Sequence, residues 1–113
     1  MNESILSTIK RMLGILDEDD VFDFELRMHI NSAIMAACQL GVGRKNFEIT
    51  GYDEVWSDWL STSAGLSAIQ QYIYIRVRLA WDPPANSFVV NSFEKQLDEM
   101  TWRLNVQAES GVS

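Results

Sequence analysis

The stretch from Ala64 to Pro84, AGLSAIQQYIYIRVRLAWDPP, constrains the fold more than any other part of the chain. It is the longest run dense in large apolar residues. Asp82-Pro83-Pro84 closes it, because proline lacks an N–H and restricts the residue before it. Its middle alternates: Ile73, Ile75, Val77 and Leu79 interleave with Tyr72, Tyr74, Arg76 and Arg78, the period of two that puts apolar residues on one face of a strand. Its full length recurs differently. Leu66, Ile69, Ile73, Val77 and Ala80 are spaced by threes and fours, and Tyr72, Ile75 and Leu79 form a second stripe beside the first, which is the pattern of a helix. The two periods require different folds, and the flanking sequence decides between them.

On the N-terminal side, Glu3 to Gly14 has Ile5, Ile9, Met12 and Leu13 on one face. Lys10 and Arg11 stand near its C-terminal end, where cations suit the helix dipole, and Gly14 is a natural stop. The acidic run Asp17-Glu18-Asp19-Asp20 reads as a solvated turn, with Asp20 or Asp23 available to cap the next helix. That second helix is predicted over Val21 to Leu40. Its apolar stripe is Phe22, Leu26, Ile30, Ala33, Ala37 and Leu40, with Asp23, Arg27 and Asn31 as a polar line four residues apart and Gly41 and Gly43 ending it. Residues 41 to 63 are irregular. Asn46 to Thr50 (NFEIT) reads as a short extended piece. Asp53 to Leu60 reads as a short helix capped by Asp53, with Val55, Trp56 and Trp59 facing inward. After Pro84, a last helix from about Asn86 to Gln107 carries Val89, Phe93, Leu97, Met100 and Leu104, with Phe88 and Trp102 widening the apolar surface and Glu99 and Arg103 as an i,i+4 pair.

A strand at Tyr72 to Leu79 would have only NFEIT to pair with, and a two-stranded ribbon alone is marginal in water. The stretch is therefore predicted to be helical. A helix with apolar or aromatic groups on nearly every side needs cover on nearly every side, and the expectation is that a second copy of the chain supplies part of it. The predicted fold class is all-α: a small bundle of about four main helices, one short helix and an irregular loop section. Residues 1–106 form a single domain and residues 107–113 a flexible C-terminal tail.

With 113 residues there is room for one core only. The single cysteine, Cys38, excludes an internal disulfide framework and a cysteine-based zinc cluster; beside Met35, Ala36 and Ala37 it reads as a small core residue. The order of residues at the N-terminus does not match a signal peptide, and no segment approaches the roughly twenty apolar residues of a bilayer span. These features predict a protein made in the cytoplasm, away from membranes. A net charge of −7 argues against a free-standing nucleic-acid binder, whose affinity comes from neutralising phosphates.

The residues offer no catalytic constellation. Gly41-Val42-Gly43 follows a helix where a dinucleotide-binding turn follows a strand. The acidic run lacks the glycine and distal glutamate of a calcium loop. His29, the only histidine, has no partner at i+4, and no serine sits in a Gly-x-Ser-x-Gly turn. No enzymatic activity, metal or cofactor is expected. Arg76 and Arg78, within the most apolar helix, either snorkel to the surface or meet a neighbouring subunit's carboxylate such as Glu94 or Asp98; the first is favoured.

Four segments in order, ILSTIKRMLGI, DFELRMHINSAIMAACQLGVG, YIYIRVRLAWDPP and FEKQLDEMTWRLNVQAE, closely resemble the small head–tail connector (adaptor, or DNA-packaging) proteins of tailed bacteriophages. The resemblance runs from about Ile5 to Glu109. It implies a helical subunit that assembles into a homo-oligomeric ring beneath the portal protein in the virion neck. The ring would extend the DNA channel after packaging, let DNA pass without sequence-specific binding, and present a platform for stopper or tail-completion proteins. It implies no catalytic residues and no cofactor. As regions, it places the long helices between subunits, with Tyr72, Tyr74, Arg76, Arg78, Phe93 and Leu97 as candidates. It places the C-terminal helix and tail toward the portal, with Trp102, Arg103, Leu104, Val106 and Gln107 as candidates. The acidic surplus suggests Asp17, Glu18, Asp19 and Asp20 as lining for a channel that DNA slides past. The competing expectation is a small acidic module that binds and masks a basic partner.

Overall fold

A computed structural model describes residues 1–109, and side chains through residue 106. Its regular elements are α1 (Ile5–Met12), α2 (Asp23–Gln39), α3 (Trp56–Trp59), α4 (Leu66–Trp81) and α5 (Ser87–Glu109). No strand occurs among the described residues; the nearest feature is a single antiparallel bridge between Ser4 and Val55. The fold is all-α, and the alternating stretch is a helix. Residues 110–113, most of the predicted tail, lie outside the described residues.

The helix ends follow local chemistry. Ser4 caps α1, its hydroxyl accepting from the Ser7 N–H at 3.2 Å. Gly14, at φ +79°, closes α1 by letting the Gly14 N–H reach the Arg11 carbonyl and the Ile15 N–H reach the Lys10 carbonyl. Gly41, at φ +92°, ends α2 in the same way, with Val42 N–H donating to Ala37. Asp82 ends α4, and Asn86 starts α5 by accepting from the Phe88 N–H at 2.8 Å. Two expected caps fail. The residue before α2 is Phe22, whose side chain carries no acceptor, and the Asp23 carboxylate is committed to Lys10 and Tyr52. Val55, not Asp53, precedes α3, and Asp58 reaches back to accept from the Val55 N–H at 2.9 Å.

α4 is the central element. α2 packs along one side of it and α5 along another, with α1 adding a smaller contact, in a plate measuring 40 × 35 × 19 Å. Ile69, Tyr72, Ile73, Ile75 and Val77 are all buried within the one subunit. For these residues the subunit itself supplies the cover that a second copy was expected to share. The irregular section supplies the missing cover: Val42, Phe47, Ile49, Trp56, Trp59 and Leu60 join the same core cluster as Ile73 and Val77. A segment without regular hydrogen bonding contributes few recognisable periods, so its apolar weight is easily undercounted.

That section is held by side chains rather than by a sheet. Asn31 of α2 accepts from the Ile49 N–H at 2.7 Å and donates to the Ile49 carbonyl at 2.9 Å, as a neighbouring strand would. Arg27, one turn earlier, donates to the Thr50 carbonyl. The N-terminal residues clasp it from the other side: Ile5 N–H donates to the Glu54 carbonyl, and Ser57 N–H to the Met1 carbonyl. At the centre, the fully buried Trp56 donates its indole N–H to Thr8 Oγ1 at 3.0 Å, and that hydroxyl donates to the Ser4 carbonyl at 2.7 Å. Ile49 is buried, so Asn31→Ala orphans two backbone groups that water reaches poorly. The expected cost is about 2 kcal/mol, read as a lower urea midpoint at unchanged slope. An unchanged midpoint would show that water replaces the amide.

Candidate assembly surfaces

α5 presents two apolar faces. Val90, Phe93, Leu97, Met100 and Leu104 repeat at threes and fours and are half-buried or buried. At 3.6 residues per turn, Phe88, Trp102 and Val106 fall on the opposite face, and they are 83%, 68% and 42% exposed. α2 is similar. Leu26, Ile30, Ala33, Ile34 and Ala37 face the core, while Phe24, Met28 and Met35, at i, i+4 and i+11, stand outward at 64%, 56% and 62% exposure. Both helices dock on α4, so the two uncovered stripes lie on different flanks of the plate.

The residues expected between subunits mostly lie elsewhere. Tyr72 is 1% exposed and belongs to the subunit's own core, which removes it as a surface contact. Tyr74 meets Phe93 edge-on, with centroids 6.3 Å apart, across the α4–α5 seam, and Leu97 lies half-buried in the same seam. The Arg76 guanidinium sits over the Tyr72 ring, 5.8 Å from its centroid. Arg78 is half-buried, and its Nε has no hydrogen-bond partner. Among the C-terminal candidates, Trp102, Arg103 and Val106 are exposed and Leu104 is buried. The Gln107 side chain lies outside the described residues.

The acidic run is anchored through its backbone. Lys10, fully buried, donates from Nζ to the Asp17 and Asp19 carbonyls at 3.3 and 2.8 Å, to Asp23 Oδ1 at 2.8 Å and to Tyr52 Oη at 2.6 Å. The Tyr52 hydroxyl is also within 2.8 Å of Asp23 Oδ2. Burial pulls the Lys10 pKa down, but the hydrogen bonds to Asp23 and Tyr52 outweigh it and hold the ammonium above its ordinary value. Burial raises the Tyr52 phenol. With the carbonyls turned inward, Asp17, Glu18, Asp19 and Asp20 are all exposed at the surface. Sequence reasoning placed Lys10 by its helix position and missed this cage, because its ligands are backbone carbonyls that no residue pattern marks. It also missed the outer stripe of α2, which the spacing of Phe24, Met28 and Met35 does reveal.

Among the described residues no cluster of histidine, cysteine, aspartate or glutamate is placed to hold a metal ion. No helix among them is long and apolar enough to cross a membrane. The chain matches the family model described as "Phage connector protein" over residues 5–111, nearly its whole length, and it belongs to that family. Membership implies a structural role in the connector at the virion neck, in contact with portal and tail proteins. No curated protein and no solved structure matches the chain.

Proposed function

We propose that the protein is a neck adaptor: copies close into a ring under the portal, extend the DNA channel after packaging and offer a platform to stopper or tail-completion proteins. The observation that carries this, within a connector family, is the pair of uncovered apolar stripes on α2 and α5. A ring requires a heterologous interface, in which each subunit offers one surface forward and a different one back. A monomer gains nothing from exposing phenylalanine, methionine and tryptophan on two flanks at once.

In this arrangement the C-terminal end of α5, with Arg103, Val106 and Gln107 as candidates, faces the portal. Leu104 is committed to its own core and leaves that set. Asp17, Glu18, Asp19 and Asp20, repeated around the ring, give an acidic wall that repels the DNA backbone, so that DNA slides without adhering. Negative-stain imaging of the purified protein with its portal tests the proposal. An added ring-shaped layer beneath the portal is the expected result. A chain that stays monomeric and leaves portal particles unchanged would overturn it.

A further inference from the structure

The outer stripe of α2 borders a groove. Met28, Met35, Cys38, Lys45, Phe47 and Glu48 are among its lining, and its volume is about 810 Å³. One wall is the methionine-bearing face of α2, whose flexible thioether side chains adapt to an inserted shape. The other is the loop at 45–48, which sets a lysine and a glutamate three residues apart on the groove.

On the other flank, Trp102 stands clear of α5 with Glu99 one turn before it and Arg103 directly after it. Glu99 and Arg103 are spaced to pair with each other. Among the described residues, however, the ion pairs are Lys10–Asp23 and Arg11–Glu3. Like most surface charges among the described residues, Lys45 and Glu48 on the groove and Glu99 and Arg103 around the projecting indole have no ionic partner there.

From this complementarity of shape and charge we infer that Trp102 of one copy seats in the α2 groove of the next, with Glu99 against Lys45 and Arg103 against Glu48. The occupant is a second copy of this chain. The inference rests on the ring reading above and assigns Trp102 and Arg103 to the neighbouring subunit instead of to the portal. The indole, a large and rigid anchor, supplies the desolvated centre. The two rim pairs set the register and carry the salt dependence. Because knob and groove are on different flanks, each copy uses both, and the contact propagates from copy to copy.

Cysteine cross-linking tests the contact. In a Cys38→Ser background, Met35→Cys and Asn105→Cys are introduced together, both at exposed positions and with Trp102 left in place, and the protein is treated with a short bis-maleimide, free and in the portal complex. The expected product is a ladder of dimers, trimers and higher species that vanishes when either new cysteine is omitted. Dimers that persist with Asn105→Cys alone would indicate a symmetric α5–α5 contact and overturn the inference. If imaging shows rings but no ladder forms, this interface is wrong while the adaptor reading stands; if neither appears, both fall. A charge exchange gives a second readout. Glu99→Lys alone weakens association roughly tenfold, and adding Lys45→Glu restores it to within about threefold. A double variant no better than the single one would refute the register.

Discussion

Lys10→Met lowers the melting temperature by ~12 °C, the shift expected for about 3 kcal/mol in a domain of this size. The methionine fills much of the same volume, so the loss is electrostatic rather than a cavity. Without the ammonium, the Asp17 and Asp19 carbonyls lose the donor they converge on, and the half-buried Asp23 carboxylate keeps only the Tyr52 hydroxyl as a partner, so its charge is poorly compensated. The pH dependence provides an independent check. Lys10 is raised above its ordinary 10.5 and Tyr52 above its ordinary 10.0, so the folded protein holds protons that the unfolded chain releases. The stability this contributes is fully present below about pH 10 and is lost as pH rises through the folded values, at up to about 1.4 kcal/mol per pH unit for each proton. Because loss of the ammonium would push Tyr52 further up, the lysine's share is read in a Tyr52→Phe background: urea titrations between pH 9 and 12 should show a decline there, and Lys10→Met should flatten it. Equal slopes in the two proteins would mean that Lys10 does not carry the effect.

Gly43→Ala costs about as much, ~3 kcal/mol, for an unrelated reason. The residue sits at φ +67°, which charges an alanine about 1 kcal/mol in strain. The added Cβ would then collide with Nε1, Cδ1 and Cε2 of the Trp59 indole, which is buried, and overpacking of that kind adds about 1–3 kcal/mol. Trp59 has little room to move, since Phe47 stacks on it and Trp56 lies 6.3 Å away. Gly65 is the internal control: at φ +75° with open space beyond, its alanine variant pays only the strain, about 1 kcal/mol. Urea unfolding of the two variants should separate them by about 2 kcal/mol. Comparable losses would place the whole effect in the backbone angle.

The parts legible in the sequence were those carried by local rules. Glycine at 14 and 41, proline at 83 and 84 and the long apolar periods located four helices within a few residues, because capping and periodicity are properties of neighbours in the chain. The polar line Asp23, Arg27 and Asn31 was visible as a line, and its purpose was not. Its partners are Lys10, Tyr52 and the carbonyls of Ile49 and Thr50, which are distant in sequence. Caps failed where a long-range partner had a better claim, as Lys10 has on Asp23. The assignment of Tyr72 to a subunit boundary failed for a similar reason: a tyrosine on a crowded helix looks the same in sequence whether a neighbouring segment or a neighbouring molecule covers it. It shares its core cluster with residues of the irregular section, whose packing no period announces.

α5 rests on one companion. It packs along α4 and against no other helix to a comparable extent, whereas the rest of the molecule is cross-tied by the Asn31 bracket, the Lys10 cage and the N-terminal clasp. Stability in such a molecule is graded, since a segment held by a single seam opens at lower free energy than one bound from several directions. The subunit therefore joins a firm body to a long lever of lesser hold, and it can lose the lever's seating without losing the body.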